Sequence, residues 1–141
     1  MEIIELTSAN IDSHIDDCLE LQSHLVKSHE SIKADRFMAT AADSHSYLIG
    51  VLSPENRIVG LGLISKIVDP VRIIGYVNNI VVHPDGRGQG LFGTIMTALE
   101  DQARIWGCTQ IELTCSRENV QGMYDKRGYR AKDTKYYKLE L

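Results

Sequence analysis

Residues 83–93, HPDGRGQGLFG, constrain the fold of this chain more than any other stretch. Four glycines, Gly86, Gly88, Gly90 and Gly93, fall within eight residues. They follow an apolar run, Ile80-Val81-Val82, and precede a segment in which Leu91, Ile95, Leu99, Gln102, Ala103 and Trp106 line one helical face. The pattern predicts a strand, a tight turn and an amphipathic helix in direct succession. Glycine permits positive φ and lets a ligand approach the backbone closely. A turn from strand to helix aims unpaired N–H groups and the positive end of the helix dipole at one spot. That spot favours an anion, phosphate above all. The competing reading is a plain turn without a ligand, and the flanking strand and helix count against it.

The rest of the chain reads as mixed α and β. Residues 2–6, 47–52, 57–68, 72–82, 110–115 and 135–141 have strand character. Ser53 to Asn56 form a turn between two of them, with Pro54 pre-setting its geometry. Apolar spacing predicts a helix from Ile11 towards His29, capped by Ser8 or Asn10, and a short helix within 31–45. A further helix, about 117–127, takes Ser116 as its cap and stops at Gly128. In 110–115, Ile111, Leu113 and Cys115 face one way, and Glu112 and Thr114 the other. The order is β-α-α-β-β-β-α-β-α-β: antiparallel hairpins around one β-α-β crossover, in a single domain spanning 1–141.

Composition excludes several function classes. Hydrophobic residues make up 43% of the 141, enough for a real core. A net charge of −4 argues against a general nucleic-acid binder, including one acting on RNA-borne amines. No apolar run approaches the ~20 residues of a membrane span. The opening MEIIELTS lacks the layout of a signal peptide, so a cytoplasmic protein is expected. Cys18, Cys108 and Cys115 show no C-x-x-C spacing and read as reduced thiols. The five histidines contain no H-E-x-x-H and no i,i+4 pair, so no metal site is expected.

Three phosphate-binding loops compete for residues 83–93. A nucleoside triphosphate loop matches Gly88 and Gly93 in spacing, but Thr94 stands where its lysine belongs. A dinucleotide fold needs an acidic residue closing the next strand, where Cys115 and Ser116 lie instead, and repeated β-α-β units. The third reading fits more of the chain. VVHPDGRGQGLFGTIMTALEDQA resembles the acyl-coenzyme A loop of the GNAT superfamily of N-acetyltransferases, whose pattern is [QR]-x-x-G-x-[GA]. Arg87, Gly88, Gln89 and Gly90 supply its first part; the final small position holds Phe92, with Gly93 beside it. NVQGMYDKRGY resembles the second family block through Asn119, Tyr124, Gly128 and Tyr129, with the spacing shortened.

The resemblance implies an α+β fold, a mixed and mostly antiparallel sheet with helices on both faces. It implies a cytoplasmic enzyme that moves an acetyl group from acetyl-CoA to a primary amine of a small molecule, protein or peptide, and it is compatible with a homodimer. The loop amides from Arg87 through Gly88, Gln89, Gly90, Leu91, Phe92 and Gly93 would hold the pyrophosphate. The pantetheine arm would pair with strand backbone near Val81 and Val82, where the family's strand bulges and splays. Asn119 would orient that arm, and Tyr124 would protonate the departing thiolate. Lys126, Arg127 or Arg130 would add positive charge. Residues 74–90 are similar to those of glucosamine-6-phosphate N-acetyltransferases, which carry Glu-Asp where this chain has Asn78-Asn79, at the acceptor position. Asparagine cannot serve as a base, so the general base stays open, with His83 and Glu112 as weak substitutes. A non-catalytic module that senses acyl-CoA on the same fold is the alternative.

Overall fold

The computed structural model describes residues 1–26 and 33–141. A five-stranded sheet runs in chain order: β1 (Glu2–Glu5), β2 (Ser46–Leu52), β3 (Ile58–Val68), β4 (Ile73–Val82) and β5 (Gln110–Glu112). The first four strands pair antiparallel, and β4 pairs β5 in parallel. This parallel step follows the crossover through α3 (Leu91–Ile105), as a parallel pair requires. α1 (Ile15–Ser23) follows a short 3-10 turn, Ile11–His14, and α2 (Ala34–Ala42) precedes β2. α4 (Glu118–Lys126) follows β5. His29, the last residue of the predicted first helix, lies outside the described residues.

Period-two alternation divides the core into two layers. On one face Ile49, Val51, Ile64 and Val77 pack against Leu91, Ile95, Met96, Leu99 and Ala103 of α3. On the other, Leu48, Ile58, Leu61 and Val81 pack with Leu6, Ile11, Cys18 and Leu21 under α1. Helices therefore cover both faces. Gly62 lets α3 come close: a Cβ there would meet Ile95 Cγ2 at 2.5 Å.

The pairing of β3 with β4 is irregular at one point. Leu61 lies opposite Val81 and Leu63 opposite Asn78, so β4 spends one residue more than β3 between these pairs. This is a β-bulge. Val77 and Val81, four apart, would share a face on a regular strand; here they belong to opposite core layers. Asn79 within the bulge has φ 55°, in the left-handed region that asparagine enters more readily than most residues.

Several expectations are corrected. Residues 135–141 form no strand: Tyr136, Tyr137 and Leu139 are all exposed, Tyr137 by 84%. Alternation specifies a strand only when one of its faces is covered, and nothing among the described residues covers either face of this segment. The strand predicted over 110–115 ends at Glu112, although Ile111, Leu113 and Cys115 keep the expected half-buried alternation. Ser8 and Ser116 cap nothing; the residues preceding α1 and α4 are His14 and Arg117, without side-chain caps. Asn10 instead closes the turn after β1, accepting from Thr7 N–H at 2.8 Å and donating to the Glu5 carbonyl at 2.9 Å.

Candidate active site

The glycine turn has the geometry its sequence predicts. His83 N–H donates to the Val59 carbonyl at 2.9 Å, anchoring the end of β4 to β3. A 3-10 turn, Pro84–Gly86, comes next. Gly88 and Gly90 then take φ of 80° and 75°, and Gly90 is the residue preceding α3. A Cβ at either would meet nothing within 4 Å. Thr94 is the first residue of α3 whose N–H is paired, with the Gly90 carbonyl at 3.2 Å. The N–H groups from Gly88 to Gly93 have no acceptor among the described residues. Six consecutive free donors thus lie at the positive end of a helix, an arrangement suited to holding an anion.

β4 and β5 diverge beside this turn. They pair only from Ile74 to Tyr76, opposite Gln110 to Glu112. From Val77 onward β4 has no strand on that side among the described residues. The His83–Val59 bond fixes which groups face the gap, because peptide groups alternate along a strand. Val81 is turned to Leu61 of β3, and the residue is only 6% exposed. Val82 is turned to the gap, where its carbonyl accepts from Arg87 Nε at 3.3 Å. Of the two valines, Val82 alone offers backbone to the opening. Gln89 Nε2 reaches back to the Asp85 carbonyl at 3.4 Å.

Tyr124 projects from α4 and is half-buried. Its ring packs edge-to-face on Phe92 at 5.3 Å and on Tyr129 at 5.7 Å. Phe92 thus seats Tyr124 beside the start of α3. Burial, and then the charge of Cys115 nearby, push the Tyr124 phenol up, so it holds its proton at neutral pH. Its hydroxyl has no partner among the described residues. Asn119 is exposed on the first turn of α4. Arg127 does not face the turn as a free cation. It pairs with Glu100 of α3 at 2.6 Å and bonds Thr97 at 3.0 Å, while Tyr129 donates to the same carboxylate at 2.9 Å. This cluster fastens α4 to α3.

Asn78 is exposed, and Asn79 is part of the wall of a cavity of about 180 Å³ on the α1–α2 side of the bulge. Lys33, Arg36, Phe37, Leu61 and Leu63 also line it. Sequence reasoning missed the two basic residues, because nothing local to α2 relates them to a bulge some forty residues on. Glu112 is exposed and accepts from Gln110 Nε2, two residues away on the same face of β5.

The model of the Acetyltransferase (GNAT) family matches residues 11–129. A glucosamine 6-phosphate N-acetyltransferase of Trypanosoma brucei brucei is 29% identical over 140 residues, covering 93% of this chain and 90% of that protein. Among solved structures, an acetyltransferase of Trypanosoma brucei superposes with a TM-score of 0.83 at 25% identity, covering 99% of each chain. A glucosamine-6-phosphate N-acetyltransferase of Arabidopsis thaliana superposes with a TM-score of 0.82 at 20% identity, covering 98% of this chain and 97% of that one.

Proposed function

The chain belongs to the acetyltransferase (GNAT) family, and from that premise we propose that it transfers an acetyl group from acetyl-CoA to a primary amine by direct attack in a ternary complex. The observation that carries this reading is the run of free N–H groups from Gly88 to Gly93 set beside the parted strands β4 and β5. A diphosphate fits the first and an extended amide-bearing arm fits the second. Val82 N–H lies on the open side and is the candidate partner for the arm and for the thioester oxygen. Arg87 lends positive charge at the rim.

Chemistry then needs three events. The amine sheds a proton, its nitrogen lone pair forms the C–N bond, and the C–S bond breaks to leave a thiolate. Tyr124, protonated at neutral pH and seated on Phe92, is the proposed donor to that sulfur. Asn119 flanks the arm from α4. Asn78 and Asn79 lie at the acceptor side. The cavity with Lys33 and Arg36 supports a small acceptor bearing negative charge, and the relatives named for an amino-sugar phosphate agree with that class. Asn79 keeps the bulge geometry that an aspartate would also adopt, but it cannot take a proton. Water in the open cleft is the proposed proton acceptor.

Two results are expected. Purified chain mixed with acetyl-CoA and a panel of amines should release free thiol with at least one anionic small amine; no thiol with any amine would leave only a binding role. With such an acceptor, log kcat/KM should climb with pH and level off at the acceptor's own amine pKa. Changing to an acceptor of lower pKa should move that inflection down with it. An inflection that stays fixed near 6–7 across acceptors would reveal a histidine base on the protein.

A further inference from the structure

Histidine spacing in the sequence argues against a metal centre, yet the fold brings three ligand-type side chains together. Glu20 lies on α1 and His24 one turn further, at its C-terminal cap, so the two share a helix face. His83 closes β4 just before the glycine turn. One ligand atom from each lies within 4.8 Å of the others. His83 Nε2 is 3.4 Å from Glu20 Oε1, and the two imidazole rings meet edge-to-face at 5.7 Å. We propose that Glu20, His24 and His83 form a binding site for a divalent transition ion of the zinc class.

Tetrahedral zinc with bonds of about 2.0–2.1 Å separates its ligand atoms by roughly 3.4 Å. The Glu20–His83 pair already has that spacing. His24 is exposed and has to close by little more than an ångström, within reach of a side-chain rotation. Two imidazoles and one carboxylate suit a borderline ion and offer too few oxygens for magnesium or calcium. No fourth ligand lies among the described residues, so that position is left to water. Without metal, the His83 Nδ1 accepts from Asp85 N–H at 3.1 Å, which leaves the ring proton on Nε2, facing Glu20. Zinc takes the place of that proton. Nδ1 then carries it and gives up the bond from Asp85 N–H, and the ring turns its N–H to the Asp85 carboxylate, now 3.6 Å away, as histidines bound to metal do with carboxylates behind them. Arg57 approaches the other Glu20 oxygen at 3.6 Å, but its charge is compensated by Asp17 at 2.6 Å. An ion held here ties the end of α1 to the residue that opens the glycine turn.

The test is calorimetric titration of the full chain, stripped with a chelator, with zinc chloride and in parallel with magnesium chloride. One zinc per chain is expected, with no magnesium heat. His24→Ala and Glu20→Gln should each weaken zinc by ~10-fold or more, since even removing a group behind a ligand costs ~10–100-fold. Both variants should melt as the parent does without metal. Cobalt(II) in the same site should show a visible spectrum without a thiolate charge-transfer band, which separates the site from the three cysteines. No uptake, uptake unchanged in both variants, or a thiolate band would each overturn the proposal.

Discussion

Replacing Gly90 with aspartate is expected to leave the protein folded and to remove its response to acetyl-CoA. Gly90 has φ 75°, and a Cβ there meets nothing within 4 Å. The open space means no clash. The left-handed backbone costs aspartate about 1–2 kcal/mol, less than it would a branched residue. A carboxylate at the start of α3 interacts favourably with the helix dipole and offsets part of that. The melting temperature without ligand should therefore shift by only a few degrees.

Binding is a different matter. The new carboxylate would stand among the free N–H groups of residues 88–93 and occupy the place proposed for the pyrophosphate. Two like charges about 4 Å apart at an effective dielectric near 20 repel by ~4 kcal/mol, roughly a thousandfold in affinity. The parent chain, with acetyl-CoA at ~100 times its Kd, should gain about 2.7 kcal/mol of stability; the variant should gain none at the same concentration. Thermal melts of both proteins with acetyl-CoA, NADH and ATP make the comparison. Undiminished stabilisation of the variant would move the pyrophosphate away from this turn, and stabilisation of the parent by NADH alone would overturn the donor assignment.

Tyr124→Phe should lower kcat by ~10²-fold, the lower end of the ~10²–10⁴-fold range for a positioned acid, because a thiolate is already a good leaving group. The ring and its contacts with Phe92 and Tyr129 remain, so the fold should not change. Only the hydroxyl is lost. KM for acetyl-CoA should stay near the parent value, since the missing interaction belongs to the transition state. Steady-state kinetics with the best acceptor, beside a melt, provide the check. A parent-like kcat where chemistry limits turnover would return Tyr124 to a packing role between α3 and α4.

The glycine turn was legible because each of its determinants is local. Positive φ at Gly88 and Gly90 and a helix starting at Leu91 follow from residue type and short-range spacing. The hairpins were legible for the same reason, from alternation and from the SPEN turn. Segment 135–141 shows the limit of that signal. KYYKLEL alternates as a strand does, but alternation only offers a face, and whether a partner covers it is a tertiary fact. The caps failed similarly: Ser116 has the right chemistry one residue too early, and Asn10 spent its amide on the preceding turn.

By itself, then, the sequence determined the order of elements as far as α4, the glycine turn and the family likeness, all carried by local patterns. Tertiary structure alone decided the rest. The bulge at Asn79 exists because β3 and β4 differ by one residue in register, a property of a pair and not of either strand. The same pairing settled that Val82 and not Val81 faces the gap. Phe92, a departure in the family pattern, found its role as the seat of Tyr124 only when α4 folded back on α3. Arg127, a free cation on paper, was taken by Glu100. Glu20 and His24 met His83 across about sixty residues because α1 packs over the end of β4. Charge, reach and burial are set by what lies opposite a side chain, and chain packing chooses that neighbour.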